Sequence, residues 1–168
     1  MLINMIRPTP DISMSDINSF EALIGGVLPD EYRHFLLELN GGRPEQCAID
    51  FDFNKQGVDD YIIGDFFSLN TDAADLEGFF DILMYDIPEK TIAIASTPDG
   101  NYFLLSIKDD SSYGAVFYKD HEIEFDEDEE IFSLDLNEVP KSMCKVSNGF
   151  NSFLQKLYDP NCPDHGME

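Results

Sequence analysis

LPDEYRHFLLELNGG, residues 28–42, spells out a complete short helix with its start, buried face and stop. Pro29 suits the first helical position, where a missing N–H forfeits no bond, and Asp30 with Glu31 sets negative charge against the positive end of the helix dipole. Leu28, Tyr32, Phe35, Leu36 and Leu39 share one helical face, while Glu31, Arg33, His34 and Glu38 fall mostly off it, so that face is expected to be buried. Asn40, Gly41 and Gly42 tolerate the positive φ that a helix C-terminus and the following turn require.

Toward the N-terminus, Ser13 to Leu23 reads as a second helix, with Ser13 and Ser15 as candidate caps and Ile17, Phe20 and Ile24 on one side. Gly25 and Gly26 end it, which makes a helical hairpin. Beyond residue 42 the pattern changes to strands. Cys47 to Phe53 alternates apolar and acidic residues, and Tyr61 to Phe67 is a second strand candidate. Thr71 to Met84 reads as helix, with Leu76, Phe80, Leu83 and Met84 at three- and four-residue spacing. Thr91 to Ala95 and Tyr102 to Ile107 flank the turn residues TPDG and form a hairpin candidate. Ala115 to Tyr118 is the next expected strand, and Ile131 to Leu136 an edge strand. Ser147 to Tyr158 closes the chain as a helix capped by Ser147 or Asn148, with Phe150, Phe153, Leu154 and Leu157 on one face. Residues 1–158 are expected to make one domain and 159–168 a flexible tail.

At 168 residues one core can be buried without staples. Cys47, Cys144 and Cys162 leave one cysteine over under any pairing, and MLINMIRPTP has neither a long apolar core nor a cleavage site, so a cytoplasmic location is expected. No apolar run approaches the roughly 20 residues that span a bilayer. Asp and Glu number 34 against 10 Lys and Arg, a net charge of −24, yet 43% of residues are hydrophobic, with 14 Phe and 7 Tyr. That composition describes an acidic globule and not a disordered acidic tail. Its field repels nucleic acid and anionic lipid and attracts basic partners.

Eight of the eleven residues from Asp120 to Glu130 are acidic. Such a run reads first as a solvated loop and second as a binding surface. Calcium loops need ligands at alternate positions around a glycine bend, which DEDEE lacks; Asp50, Asp52 and Asn54 alternate, but Gly57 comes two positions late and Tyr61 stands where a closing Glu belongs. Zinc wants four convergent Cys or His ligands, and Cys162 with His165 is the only close pair. Cys47, a small strand hydrophobe, and Cys144, a loop residue, lack a nearby histidine for nucleophilic chemistry. Carboxylate pairs could serve a hydrolase, but among 34 acids some meet by chance. GGRPEQ follows a helix and does not open one, so it is no phosphate cradle. No cofactor, metal or catalytic residue is expected. His121 and Glu122, directly after a strand, either mark an exposed strand end or border a partner-binding face.

Together these segments resemble the SUKH superfamily, which includes bacterial toxin-immunity proteins and fungal regulators of cell-wall synthesis. The resemblance rests on an LP-x-x-Y/F-x-x-F-L-x-x-x-NGG segment, matched by Leu28, Pro29, Tyr32, Phe35, Leu36, Asn40, Gly41 and Gly42. A glycine turn before a strand is matched by Gly100 and Asn101. A strand leading to a His-Glu pair is matched by Gly114, Val116, Phe117, Tyr118, His121 and Glu122, and the closing helix by Phe150, Phe153, Leu154 and Leu157. The chain lacks the tryptophan the family often carries near its central strands, with Phe117 or Tyr118 in that place, and has Gly149 where serine commonly precedes the helix phenylalanine.

The resemblance implies an α+β single domain, with an N-terminal helical hairpin and a C-terminal helix packed on one side of a mainly antiparallel sheet. It also implies a non-enzymatic protein-binding role: immunity to a toxin encoded beside it, commonly a nuclease, or regulatory scaffolding with no toxin partner. An acidic inhibitor can fill a nuclease's basic groove in place of phosphate. The expected contacts are Glu122, Glu124, Asp126, Glu127, Asp128, Glu129 and Glu130, then Asp109, Asp110, Asp59 and Asp60. Direct nucleic-acid or membrane binding is not expected.

Overall fold

Ser13 opens the first helix with a reciprocal cap: its hydroxyl accepts from the Asp16 backbone N–H, and the Asp16 carboxylate accepts from the Ser13 N–H at 2.8 Å. The computed structural model describes residues 3–7, 9–53, 61–71, 75–126 and 130–161. In chain order they form β1 (Met5–Arg7), α1 (Met14–Ile24), α2 (Asp30–Leu39), β2 (Arg43–Pro44), β3 (Ala48–Ile49), β4 (Tyr61–Ile62) and β5 (Asp65–Phe66). There follow α3 (Leu76–Leu83), β6 (Thr91–Ser96), β7 (Tyr102–Ser106), β8 (Val116–Lys119), β9 (Met143–Ser147) and α4 (Phe150–Gln155).

The opening motif folds as its pattern requires. Leu28, Tyr32, Phe35 and Leu36 are buried and Leu39 is partly so. Pro29 caps α2 from just outside the first turn, one position earlier than expected, and its carbonyl accepts from the N–H groups of Tyr32 and Arg33. Each of the next three residues after the helix has its own task. Asn40 takes the left-handed conformation (φ 48°), and its side chain ties two distant segments, donating to the Pro10 and Leu69 carbonyls and accepting from the Leu69 N–H, all at 2.9 Å. Gly41 (φ 84°) passes so close to β5 that a Cβ would sit 2.5 Å from the Phe67 carbonyl oxygen. Gly42 exchanges backbone hydrogen bonds with Phe66. The NGG turn therefore welds α2 to the sheet. Arg33 adds a bidentate ion pair from α2 to Glu21 of α1, at 2.6 and 2.7 Å.

The main sheet is an antiparallel meander in the order β5-β6-β7-β8-β9, with β1-β2 and β3-β4 as small ladders beside it. Alternation along the strands divides the aromatic side chains between two faces. Phe66 and Phe103 meet α2 and α4: Phe35 lies 5.1 Å from Phe66 and Phe153 lies 5.3 Å from Phe103, centroid to centroid. Their chain neighbours Phe67 and Tyr102 turn the other way, toward α3, where Phe79 stacks on Phe67 at 4.0 Å and 2°. The hairpin and α4 occupy one face as expected, and α3 covers the other. Both faces of β6 are accordingly buried. Tyr118 takes the central aromatic place on the α4 face, in contact with Phe51, Phe53, Tyr61 and Phe103.

Several expected boundaries shift. Ile131 to Leu136 makes turns, held by Ser133 N–H to the Glu130 carbonyl and Leu134 N–H to the Ile131 carbonyl, and is not an edge strand. That edge belongs to β9, so Cys144 is a strand residue and not a loop residue. The final helix is shorter than Ser147 to Tyr158; Ser147 ends β9, and Gly149 is the N-cap without a side-chain bond. Among the described residues Cys47 to Phe53 has strand pairing at Ala48 and Ile49, with burial alternating from Ile49 to Phe53, and Tyr61 to Phe67 splits into β4 and β5. The helix expected from Thr71 runs from Leu76 with Asp75 as its cap, and residues 72–74 lie outside the described residues. So do residues 162–168 of the expected tail, with Cys162 and His165.

Candidate partner-binding surface

The acidic segment leaves the sheet at the end of β8, where a buried asparagine roots it. In the β6–β7 turn, Gly100 takes φ 91° and the Asn101 N–H donates to the Thr97 hydroxyl at 2.9 Å. The Asn101 side chain, buried under the turn, donates to the Tyr118 hydroxyl at 2.5 Å. Its amide oxygen accepts from the His121 N–H at 2.8 Å and meets His121 Nδ1 at 2.6 Å. An amide oxygen only accepts, so this bond places the imidazole proton on Nδ1. Burial pushes the Tyr118 phenol well above its ordinary value, so it remains a neutral hydroxyl. The glycine turn and the His-Glu pair, two separate stretches of the sequence, are thus one hydrogen-bonded unit.

From that root the chain alternates. Glu122, Glu124 and Asp126 are exposed, while Ile123 and Phe125 between them pack against the core. Ile123 and Phe125 line a groove of about 400 Å³ together with Leu83, Tyr102 and Lys119. Lys119 Nζ sits 5.1 Å from the centre of the Phe125 ring, and burial pushes its amine below the ordinary lysine value, against the pull of Asp86 and Asp120. Two apolar anchors therefore alternate with three exposed carboxylates, of which Glu124 also borders the groove. Asp126 faces Lys141 at 3.4 Å, both well exposed, and exposed Glu130 accepts from the Ser133 hydroxyl. Exposed pairs of this kind are worth little and exchange readily for another cation.

The remaining expected contacts are not gathered there. Asp109 and Asp110 lie in the β7–β8 turn, at the opposite end of a ladder that runs from Leu105↔Val116 to Tyr102↔Lys119. Asp110 is turned inward on its own loop, accepting from the Ser112 N–H and hydroxyl, and these bonds hold its carboxyl below the ordinary value. Asp109 lines a separate groove with Val27 and Tyr113. Glu127, Asp128, Glu129, Asp59 and Asp60 lie outside the described residues. Among the described residues, no three His, Cys, Asp or Glu side chains are grouped to hold a metal ion. No helix among them is long and apolar enough to cross a membrane.

The family model described as SMI1 / KNR4 family (SUKH-1) matches residues 11–156, from the start of the helical hairpin to the end of α4. The chain belongs to that family. No curated protein matches it. Membership in SUKH-1 supports an immunity or regulatory role in general, exercised by binding protein. The apolar surface on the α3 side, where Leu23, Phe80 and Phe132 line neighbouring clefts, escaped sequence reasoning.

Proposed function

We propose that this chain is a cytoplasmic immunity protein that binds a cognate toxin domain, a nuclease with a basic substrate groove, and blocks its active site. The row Glu122, Glu124 and Asp126, alternating with Ile123 and Phe125 and rooted by Asn101, is the observation that carries the reading. Preorganised carboxylates lose little freedom on binding, and a chain of charge −24 draws a basic partner from a distance. Exposed Glu130 extends the same acidic edge, and Asp109 stands at the far end of the β7–β8 ladder as a peripheral contact.

Co-expression with the product of the adjacent reading frame is the test, scored by rescue of growth and by co-purification. Rescue with a stable complex is expected. A toxic neighbour that is neither neutralised nor bound sinks the immunity reading. In the complex, Glu122→Lys with Glu124→Lys and Asp126→Lys should slow association by about tenfold or more and flatten its salt dependence. Unchanged association kinetics would remove this segment from the interface.

A further inference from the structure

On the α3 side, a cleft of about 160 Å³ opens between the helix and the loop that carries Phe132, lined by Ile24, Phe80, Met84, Ile87, Ile107 and Phe132 among others. Its apolar surface does not end at the cleft. Phe80 also borders Leu23, and Leu23 and Phe132 are 53% and 55% exposed. Large apolar side chains grouped in this way mark a contact surface, whereas single ones scattered over a surface do not. The Glu89 N–H donates to the Phe132 carbonyl at 2.8 Å, so the loop that presents Phe132 is tied to the segment after α3. Acids rim the patch: Asp75, Glu77 and Asp81 beside Leu23 and Phe80, and Glu89 at the cleft. Lys90 lines the cleft too, with its amine on the Gly25 carbonyl at 2.6 Å.

We propose that this surface is the apolar centre of the partner interface, and that its occupant is a protein segment carrying large apolar side chains between lysines or arginines. The proposal rests on the immunity reading only for the identity of the partner. An apolar centre with aromatic anchors inside a charged rim is how tight interfaces are built, and the sign of this rim selects the cations. A second copy of the chain is disfavoured by a charge of −24 on each, and an anionic lipid surface by the same field. Ile87 lines both this cleft and the groove under Ile123 and Phe125, so the apolar patch borders the acidic segment. The carboxylates then set the rate of encounter, and Leu23 and Phe132 set the lifetime of the complex.

Two synthetic peptides of equal length and charge test this on the full chain by calorimetric titration. One places leucine and phenylalanine between lysines on a helical pattern; the other has serine in place of every apolar residue. The apolar peptide should bind about tenfold tighter or more, and Leu23→Ser with Phe132→Ser should abolish that advantage while Phe132→Leu keeps it. Equal affinity for the two peptides, or an advantage that survives the double substitution, overturns the proposal. So does sedimentation showing a dimer of the chain alone that the double substitution dissolves. Against the product of the adjacent reading frame, the double variant should dissociate faster with association unchanged. Binding unaffected by the double substitution overturns the patch and leaves the immunity reading standing. No binding by the unsubstituted chain sinks that reading, and the peptide comparison still decides the patch.

Discussion

Asn101 joins four groups that the chain does not bring near one another: the turn at Thr97, the Tyr118 hydroxyl, and the backbone and ring of His121. Replacing it with alanine leaves the Tyr118 hydroxyl and the His121 N–H without this partner, so Asn101→Ala should lower stability by about 2 kcal/mol in urea unfolding. Tyr32 is the converse case. Its ring packs on Phe35 and Phe150, but its hydroxyl is buried with no partner among the described residues, and burial pushes the phenol far above its ordinary value. Tyr32→Phe should leave stability unchanged or raise it by up to about 1 kcal/mol in the same measurement. Tyr32 was legible as a core residue from helical spacing. Asn101 was legible only as a turn residue, because its bonds cross 17 and 20 residues of sequence.

At the scale of elements, the caps and glycines make opposite demands. Gly78 lies inside α3, and among the described residues nothing lies within 4 Å of where a Cβ would be, so Gly78→Ala should stabilise the protein by about 0.5–1 kcal/mol, seen as a raised midpoint in thermal unfolding. Gly41 tolerates no such change, since its Cβ would meet the Phe67 carbonyl at 2.5 Å. In α1, the Ser13 N–H and hydroxyl, with help from Asn70, hold the Asp16 carboxyl below its ordinary value of 3.8. A folded value below the unfolded one means that the cap's contribution is complete above 3.8 and is lost as pH falls through the folded value. Asp16→Asn should therefore flatten the acid limb of stability against pH. The edge strand shows what element patterns leave open. Ile131 to Leu136 alternates as a strand would, but local turns take up its backbone bonds, and Met143–Ser147 pairs with β8 instead.

Over the whole molecule, 34 acidic groups against 10 basic ones oppose the compact state by mutual repulsion. Salt screens that repulsion, so the thermal midpoint should rise as sodium chloride increases from low to physiological ionic strength, while the association rate with a basic partner falls. A midpoint that falls with salt would mean that attractive pairs, such as Arg33 with Glu21, outweigh the net repulsion. The two faces of the sheet divide the labour at this scale. The α2 and α4 face holds the phenylalanine core, and the α3 face carries two clefts and the exposed Phe132.

The amino-acid order alone determined the four helices and the Ser13 cap of the first, the β6–β7 hairpin, the acidic character and the family resemblance. Each of these depends on residues a few positions apart, whose spacing is visible along the chain. Only the tertiary structure decided which strand takes the sheet edge, that α3 covers the second face, and that Asn101 roots the acidic segment at His121. It alone separated Asp109 and Asp110 from Glu122 and Glu124, and brought Leu23, Phe80 and Phe132 to neighbouring clefts. Those facts depend on strand pairing and packing between distant segments, where many partners satisfy the same local pattern and burial of the shared core selects one.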